Sequence, residues 1–124
     1  MRVTWLYTGP DNESHFAELD VPMHAVTYGT ASDDITAGRL IFREAPGEAN
    51  DFHIAPTRQF VVYLQGRAEI ETGDGTKRVF NPGDVLLADD TTGHGHIART
   101  LDGFRSNLQV AVPADLDVAQ WLVQ

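Results

Sequence analysis

The residues of this chain best suited to chemistry are His53, Gln59 and the closely spaced pair His94 and His96. No cysteine is present, which excludes thiolate ligands, thiol nucleophiles and disulfides together. A metal ion would have to be held by nitrogen and oxygen. Gln59 lies in the run Arg58-Gln59-Phe60-Val61-Val62-Tyr63-Leu64. Its carbonyl oxygen can bind a hard cation or hydrogen-bond a substrate. Side chains alternate along a strand, so an inward Gln59 carries Val61, Tyr63 and Gln65 inward as well, and Tyr63 then offers a phenol. By the same alternation His94 and His96 could share a face, with Gly93 and Gly95 letting the backbone come close to a ligand. Arg39, Arg43, Arg58 and Arg99 can pair with a carboxylate in bidentate fashion, or simply furnish solvated strand surface. Asp89 and Asp90, beside the histidine pair, are candidates to supply the site with a carboxylate, although they read first as a solvated turn. His15 and His24 stand apart from these groups and receive no role.

The elements that must position these groups read as strands. Val3 to Tyr7 and Phe16 to Val21 are short apolar-polar runs around the turn-rich Gly9-Pro10-Asp11-Asn12. Arg39 to Glu44 is another, followed by a loop from Pro46 to Asn50. Arg58 to Leu64 is dense in β-branched and aromatic residues and is ended by Gly66. Arg67 to Thr72 alternates strictly, and Asp74-Gly75 before Lys77 to Phe80 marks a hairpin. Val85 to Ala88, His96 to Thr100 and Phe104 to Val112 complete the set. Asp115 can cap a short C-terminal helix that presents Val118, Trp121 and Leu122, but about ten residues are marginal without tertiary packing, and the tail is read as a docked segment. Short strands separated by Gly-rich turns predict an all-β sandwich or barrel.

The 124 residues have room for one domain, 1–124. An apolar content of 42% with 22% charged residues is that of a folded globular chain. Nine basic against eighteen acidic residues leave a net charge of -9, a field that repels phosphate backbones and anionic lipid. Nucleic acid and membrane are therefore not expected partners. The first ten residues lack the apolar run of a signal peptide, and no stretch has the length of a membrane span, so a cytoplasmic location is expected.

Two segments resemble the paired motifs of the cupin superfamily. The first motif, G-x5-H-x-H-x3,4-E-x6-G, is similar to His53-Ile54-Ala55-Pro56-Thr57-Arg58-Gln59 followed by six residues and Gly66. Ala55 stands for the second histidine and Gln59 for the glutamate. The second, G-x5-P-x-G-x2-H-x3-N, aligns with Gly83, Asp89, Thr91, His94 and Ala98, with His96 two residues on. The resemblance implies a cupin-type jelly-roll β-barrel of short antiparallel strands. It implies a divalent metal (Zn, Mn, Fe, Ni or Co) held by His53, Gln59 and either His94 or His96.

Replacing glutamate by glutamine would leave the ion its full charge and depart from the two-histidine, one-carboxylate set of non-haem iron oxygenases. The resemblance thus points to a metal-dependent lyase, isomerase or dioxygenase acting on a small oxygen-rich or aromatic acid. In it Tyr63 or a free histidine moves a proton and an arginine, Arg58 foremost, orients the carboxylate. The alternative is a non-catalytic cupin that binds a small ligand without metal. A sugar-binding variant would use Tyr63 and Trp5 as platforms. Strand parity turns Phe60, Val62 and Leu64 outward, where an N-terminal strand or a second subunit must cover them, and the resemblance favours a homodimer.

Overall fold

The computed structural model describes residues 1–47 and 51–124, so residues 48–50 of the expected loop lie outside the described residues. Among the described residues, eleven strands form, chiefly where β-branched and aromatic residues concentrate. They are β1 (Arg2–Thr8), β2 (Ser14–Asp20), β3 (His24–Val26), β4 (Gly29–Ala31), β5 (Leu40–Ala45) and β6 (Gln59–Gln65), then β7 (Ala68–Thr72), β8 (Lys77–Phe80), β9 (Val85–Asp89), β10 (His96–Thr100) and β11 (Arg105–Ala111). The expected runs all fall on strands, within two residues at each end.

A six-stranded sheet in the order β2-β1-β9-β6-β11-β5 faces a three-stranded sheet in the order β10-β7-β8. This is the two-sheet jelly roll. One neighbour pair departs from the antiparallel expectation: β1 runs parallel to β9. The Asp74-Gly75 turn closes the β7–β8 hairpin, with Gly75 at φ 87°, a conformation that glycine adopts without strain. The β3–β4 hairpin was not anticipated. It is exposed along nearly its whole length and carries no apolar periodicity that would announce it.

Two apolar clusters lie on the two faces of the large sheet. Inside the barrel, Leu6, Val61, Tyr63, Ile70, Phe80 and Leu86 pack together. On the outer face, Val3, Leu19, Leu87 and Val112 meet Trp5, Phe60 and the tail residues Val118 and Trp121. Burying side chains of this size stabilises by about 1.5 to 3 kcal/mol each. The tail is docked, as read, and forms a single 3-10 turn, Ala119–Trp121, where a short helix was possible. Val118, seated in the outer cluster, and a bridge from Leu19 to Leu122 hold it there.

The tail and the N-terminal strands thus cover Phe60 but not its neighbours. Leu64 is 44% exposed on β6, and Leu40 and Phe42 are 51% and 77% exposed on β5. Among the described residues, no helix is long and apolar enough to cross a membrane.

Candidate functional site

Alternation on the inner face of the large sheet builds a cavity. Gln59, Val61 and Tyr63 of β6 line it, as their spacing predicts. Gln65 does not; it sits exposed at the strand end, opposite Ser106, where the register of β11 shifts. On β11 the inward residues are Arg105, Asn107 and Gln109, and on β5 it is Arg43. Register places these side chains in rows. Asn107 opposes Arg43 on one side and Tyr63 on the other, Gln109 opposes Val61, and Gln59 opposes Ala88. The space enclosed is about 270 Å³. At about 30 Å³ per water, it takes roughly nine waters or a small organic molecule.

His53 and His96 stand at the mouth formed by Ala55, Pro56 and Ala88. Their backbones exchange two hydrogen bonds, His53 N to His96 O at 3.0 Å and His96 N to His53 O at 2.9 Å. Directly opposed residues send their side chains to one side, and the two rings lie 4.7 Å apart between centroids. Gly95 makes that approach possible. At φ 82°, a Cβ there would sit 2.2 Å from the His53 carbonyl oxygen. The glycine was expected to bring backbone close to a ligand; it brings it close to His53.

Each ring is held through Nδ1. That nitrogen of His96 donates to Asp90 Oδ2 at 2.5 Å, and that of His53 donates to the Asp51 carbonyl at 3.1 Å. A carboxylate and a carbonyl accept only, so each ring carries a proton on Nδ1, and in the neutral imidazole that leaves the lone pair on Nε2. Asp90 is completely buried and was not anticipated in this role. Read first as a solvated turn, it is the group that orients His96.

The structure does not bring His94 to the cavity. Gly95 in the left-handed region interrupts the alternation that would have put His94 and His96 on one face. His94 is exposed, stacks on Phe52 at 4.0 Å and bonds through Nδ1 to Glu13 at 2.8 Å. Arg58 also lies elsewhere, because it precedes an inward residue and therefore turns outward. Its Nη1 donates to the carbonyls of Pro113 and Leu116, at 3.0 and 2.6 Å. Its Nε lies 3.1 Å from Asp89 Oδ1, an ion pair by distance with an angle too bent for a hydrogen bond. Arg58 pins the tail to the sheet. Trp5 is on that outer face too, donating Nε1 to Asp89 at 2.9 Å, so it offers the cavity no platform. Arg99 pairs with Glu69 and Glu71 on the strand surface. Of the four arginines singled out, Arg43 is the one that lines the cavity.

Burial pushes the Tyr63 phenol well above its usual range, so it stays protonated and serves as a hydrogen-bond donor. Burial also pulls the Arg105 guanidinium down; Tyr63 opposes that shift and Arg43 adds to it. The cavity wall, among the described residues, contains two arginines and two histidines but no aspartate or glutamate. Among the described residues, no three histidine, aspartate or glutamate side chains gather as a metal site.

A model of the cupin domain matches residues 40–105, more than half of the chain, and that span contains both histidines of the mouth, Asp90 and most of the cavity wall. The chain belongs to the cupin family. A comparison with curated proteins finds no match. The cupin barrel accounts for the placement of His53 in the segment leading into β6 and of Gln59 at the start of that strand, where the first motif puts its ligands. In the second motif the spacing points to His94, but the fold puts His96 at the cavity.

Sequence reasoning ranked Asp90 first as a solvated turn and missed Arg105, Asn107 and Gln109. The last three were visible only as a polar alternation against Leu108 and Val110, a pattern that reads equally as a solvent face.

Proposed function

We propose that this cupin binds a small oxygen-rich or aromatic acid in its barrel, beside a divalent transition metal held by His53, His96 and Gln59. The observation that carries this reading is the buried carboxylate behind His96. A ligating histidine commonly donates its other ring nitrogen to a carboxylate, which fixes the tautomer and raises the basicity of the ligating nitrogen. The donor chemistry fits such an ion, since two Nε2 lone pairs and an amide oxygen suit Zn, Mn, Fe, Ni or Co. Three neutral donors leave coordination positions for water and substrate.

The ion, when bound, supplies Lewis acidity toward a carbonyl or enolate oxygen, the chemistry of a lyase, isomerase or dioxygenase. Gln59 and Ala88 shape the wall beneath it. Tyr63 keeps its proton and donates to a substrate oxygen farther down β6, about 13 Å along the strand from Gln59 at 3.3 Å per residue. The apolar wall of Val61, Ile70 and Leu86 excludes water from between them. Calorimetric titration with Zn²⁺, Mn²⁺ and Ni²⁺ tests the reading. One site per chain that disappears in His96→Ala supports it, and no heat with any of the three contradicts it.

The alternative, a cupin that binds its ligand without metal, draws support from Ala55. This buried residue lines the cavity where the family motif has its second histidine. Under that reading His53, His96 and Gln59 are hydrogen-bonding groups.

We also infer a homodimer. Phe42 opposes Leu108, which opposes Val62, and Leu40, Val110 and Phe60 form the next outward row. These rows reach β5, the edge of the sheet among the described residues, where exposed apolar side chains and unpaired backbone groups favour a second copy. Light scattering should give twice the chain mass, and Phe42→Glu should give a monomer.

A further inference from the structure

We infer that the part of the cavity lined by Tyr63, Arg105 and Asn107 is an anion subsite that takes the carboxylate of a small hydroxy acid, with Arg105 and the more exposed Arg43 on the carboxylate and Asn107 on the hydroxyl. The inference rests on reading the cavity as the ligand site and adds the class of ligand and its direction.

Unmet hydrogen bonds carry the argument. Nε and Nη1 of Arg105 are buried, and among the described residues they have no acceptor. A guanidinium keeps its charge at any ordinary pH, so burying it without acceptors is costly and favours an anion that supplies them. Arg58, Arg67, Arg78 and Arg99 all make ion pairs with carboxylates. Arg2, Arg39, Arg43 and Arg105 make none among the described residues, and of these four Arg43 and Arg105 line this cavity. Two arginines face one cavity whose wall, among the described residues, holds no carboxylate.

The Oδ1 atom of Asn107 is a second, independent sign. Asn107 is 4% exposed, lines the cavity beside Arg43 and Tyr63, and its amide oxygen has no donor among the described residues. A carboxylate alone would satisfy Arg105 and leave this acceptor empty. A hydroxyl next to the carboxylate satisfies both, and the Tyr63 phenol can donate to the same carboxylate. The planar fork of Arg105 suits a carboxylate, which accepts two parallel bonds. The rest of the molecule then points along Val61 and Gln109 toward the histidines.

The test is a two-dimensional amide NMR titration of the full chain with mandelate, its neutral amide mandelamide, phenylacetate and inorganic phosphate. Mandelate should shift the resonances of Tyr63, Arg105 and Asn107, and mandelamide should bind about tenfold more weakly or worse, the loss expected for charge-assisted hydrogen bonds. Phenylacetate, lacking the hydroxyl, should fall between them. Arg105→Gln removes an uncompensated buried charge and should fold; it should lower mandelate to the level of mandelamide, with Arg105→Lys intermediate. The inference is overturned if acid and amide bind equally, if neither binds, if Arg105→Gln binds mandelate like wild type, or if phosphate binds more tightly than mandelate. Metal content is measured on the same samples. Arg105→Gln should keep its metal, and mandelate binding that survives in a wild-type chain without metal would count against the metal reading alone.

Discussion

His53 and His96 form a reciprocal backbone pair, bonded in both directions at 3.0 and 2.9 Å, with their rings 4.7 Å apart. The pair joins the segment leading into β6 with the first residue of β10, and so ties the two sheets at the mouth of the barrel. Gly95 is the residue that lets the two backbones meet. Gly95→Ala should destabilise the protein by roughly 2 kcal/mol or more, since it adds both left-handed strain and a contact with the His53 carbonyl. Urea unfolding measures the effect. An alanine variant as stable as wild type would show that the bridge is not needed.

Asp90→Asn tests the orienting carboxylate. An amide is close in size but does not hold the His96 tautomer as a carboxylate does. Metal affinity should fall about tenfold to a hundredfold while the circular dichroism spectrum is unchanged. Unaltered affinity would remove Asp90 from the account.

Arg58→Met separates a structural arginine from one that handles substrate. It should weaken stability by about 2 to 3 kcal/mol, because the Pro113 and Leu116 carbonyls lose a charged donor. Metal content and mandelate binding should stay as in wild type. Loss of binding at full stability would return Arg58 to the site.

A pH effect is expected from the far side of the mouth. His15 Nε2 meets Asp11 and its Nδ1 meets Asp74, at 2.9 and 3.0 Å, which ties the β1–β2 turn to the β7–β8 hairpin. The tie to Asp11, chiefly, raises His15 above 6.5. The Thr72 hydroxyl, chiefly, lowers Asp74 from 3.8 to about 2. The histidine contribution is therefore complete below pH 6.5 and is lost as pH rises through the raised value. The Asp74 contribution is complete above pH 3.8 and is lost as pH falls toward 2. The stability difference between wild type and His15→Gln should be largest between these limits and shrink above them, as followed by urea unfolding at a series of pH values. A constant difference across that range would contradict the assignment.

Much of the fold was legible because its strands obey period two and its turns carry glycine. The Asp74-Gly75 hairpin followed from its turn residues, and once the motif resemblance turned Gln59 inward, Val61 and Tyr63 followed from strand parity. What escaped did so for physical reasons. A polar residue facing a cavity has the same alternation as one facing water, so Arg105, Asn107 and Gln109 looked like surface. The choice between His94 and His96 depended on the backbone angle at Gly95, which no pattern of residue types records. Asp90 gained its role by burial against a ring six residues away. The tail stayed short of a helix because Val118 and Trp121 are held by the outer face of the sheet rather than by a helical ladder.

The central claim is that His53 and His96, and not His94, hold a metal at the barrel mouth. Elemental analysis by plasma mass spectrometry of untagged wild type, His53→Ala, His96→Ala and His94→Ala tests it most directly. The account predicts near-stoichiometric metal in wild type and His94→Ala, and little in His53→Ala or His96→Ala. No metal in wild type after reconstitution with Mn, Fe, Ni and Zn, or a loss in His94→Ala equal to that in His96→Ala, would contradict it.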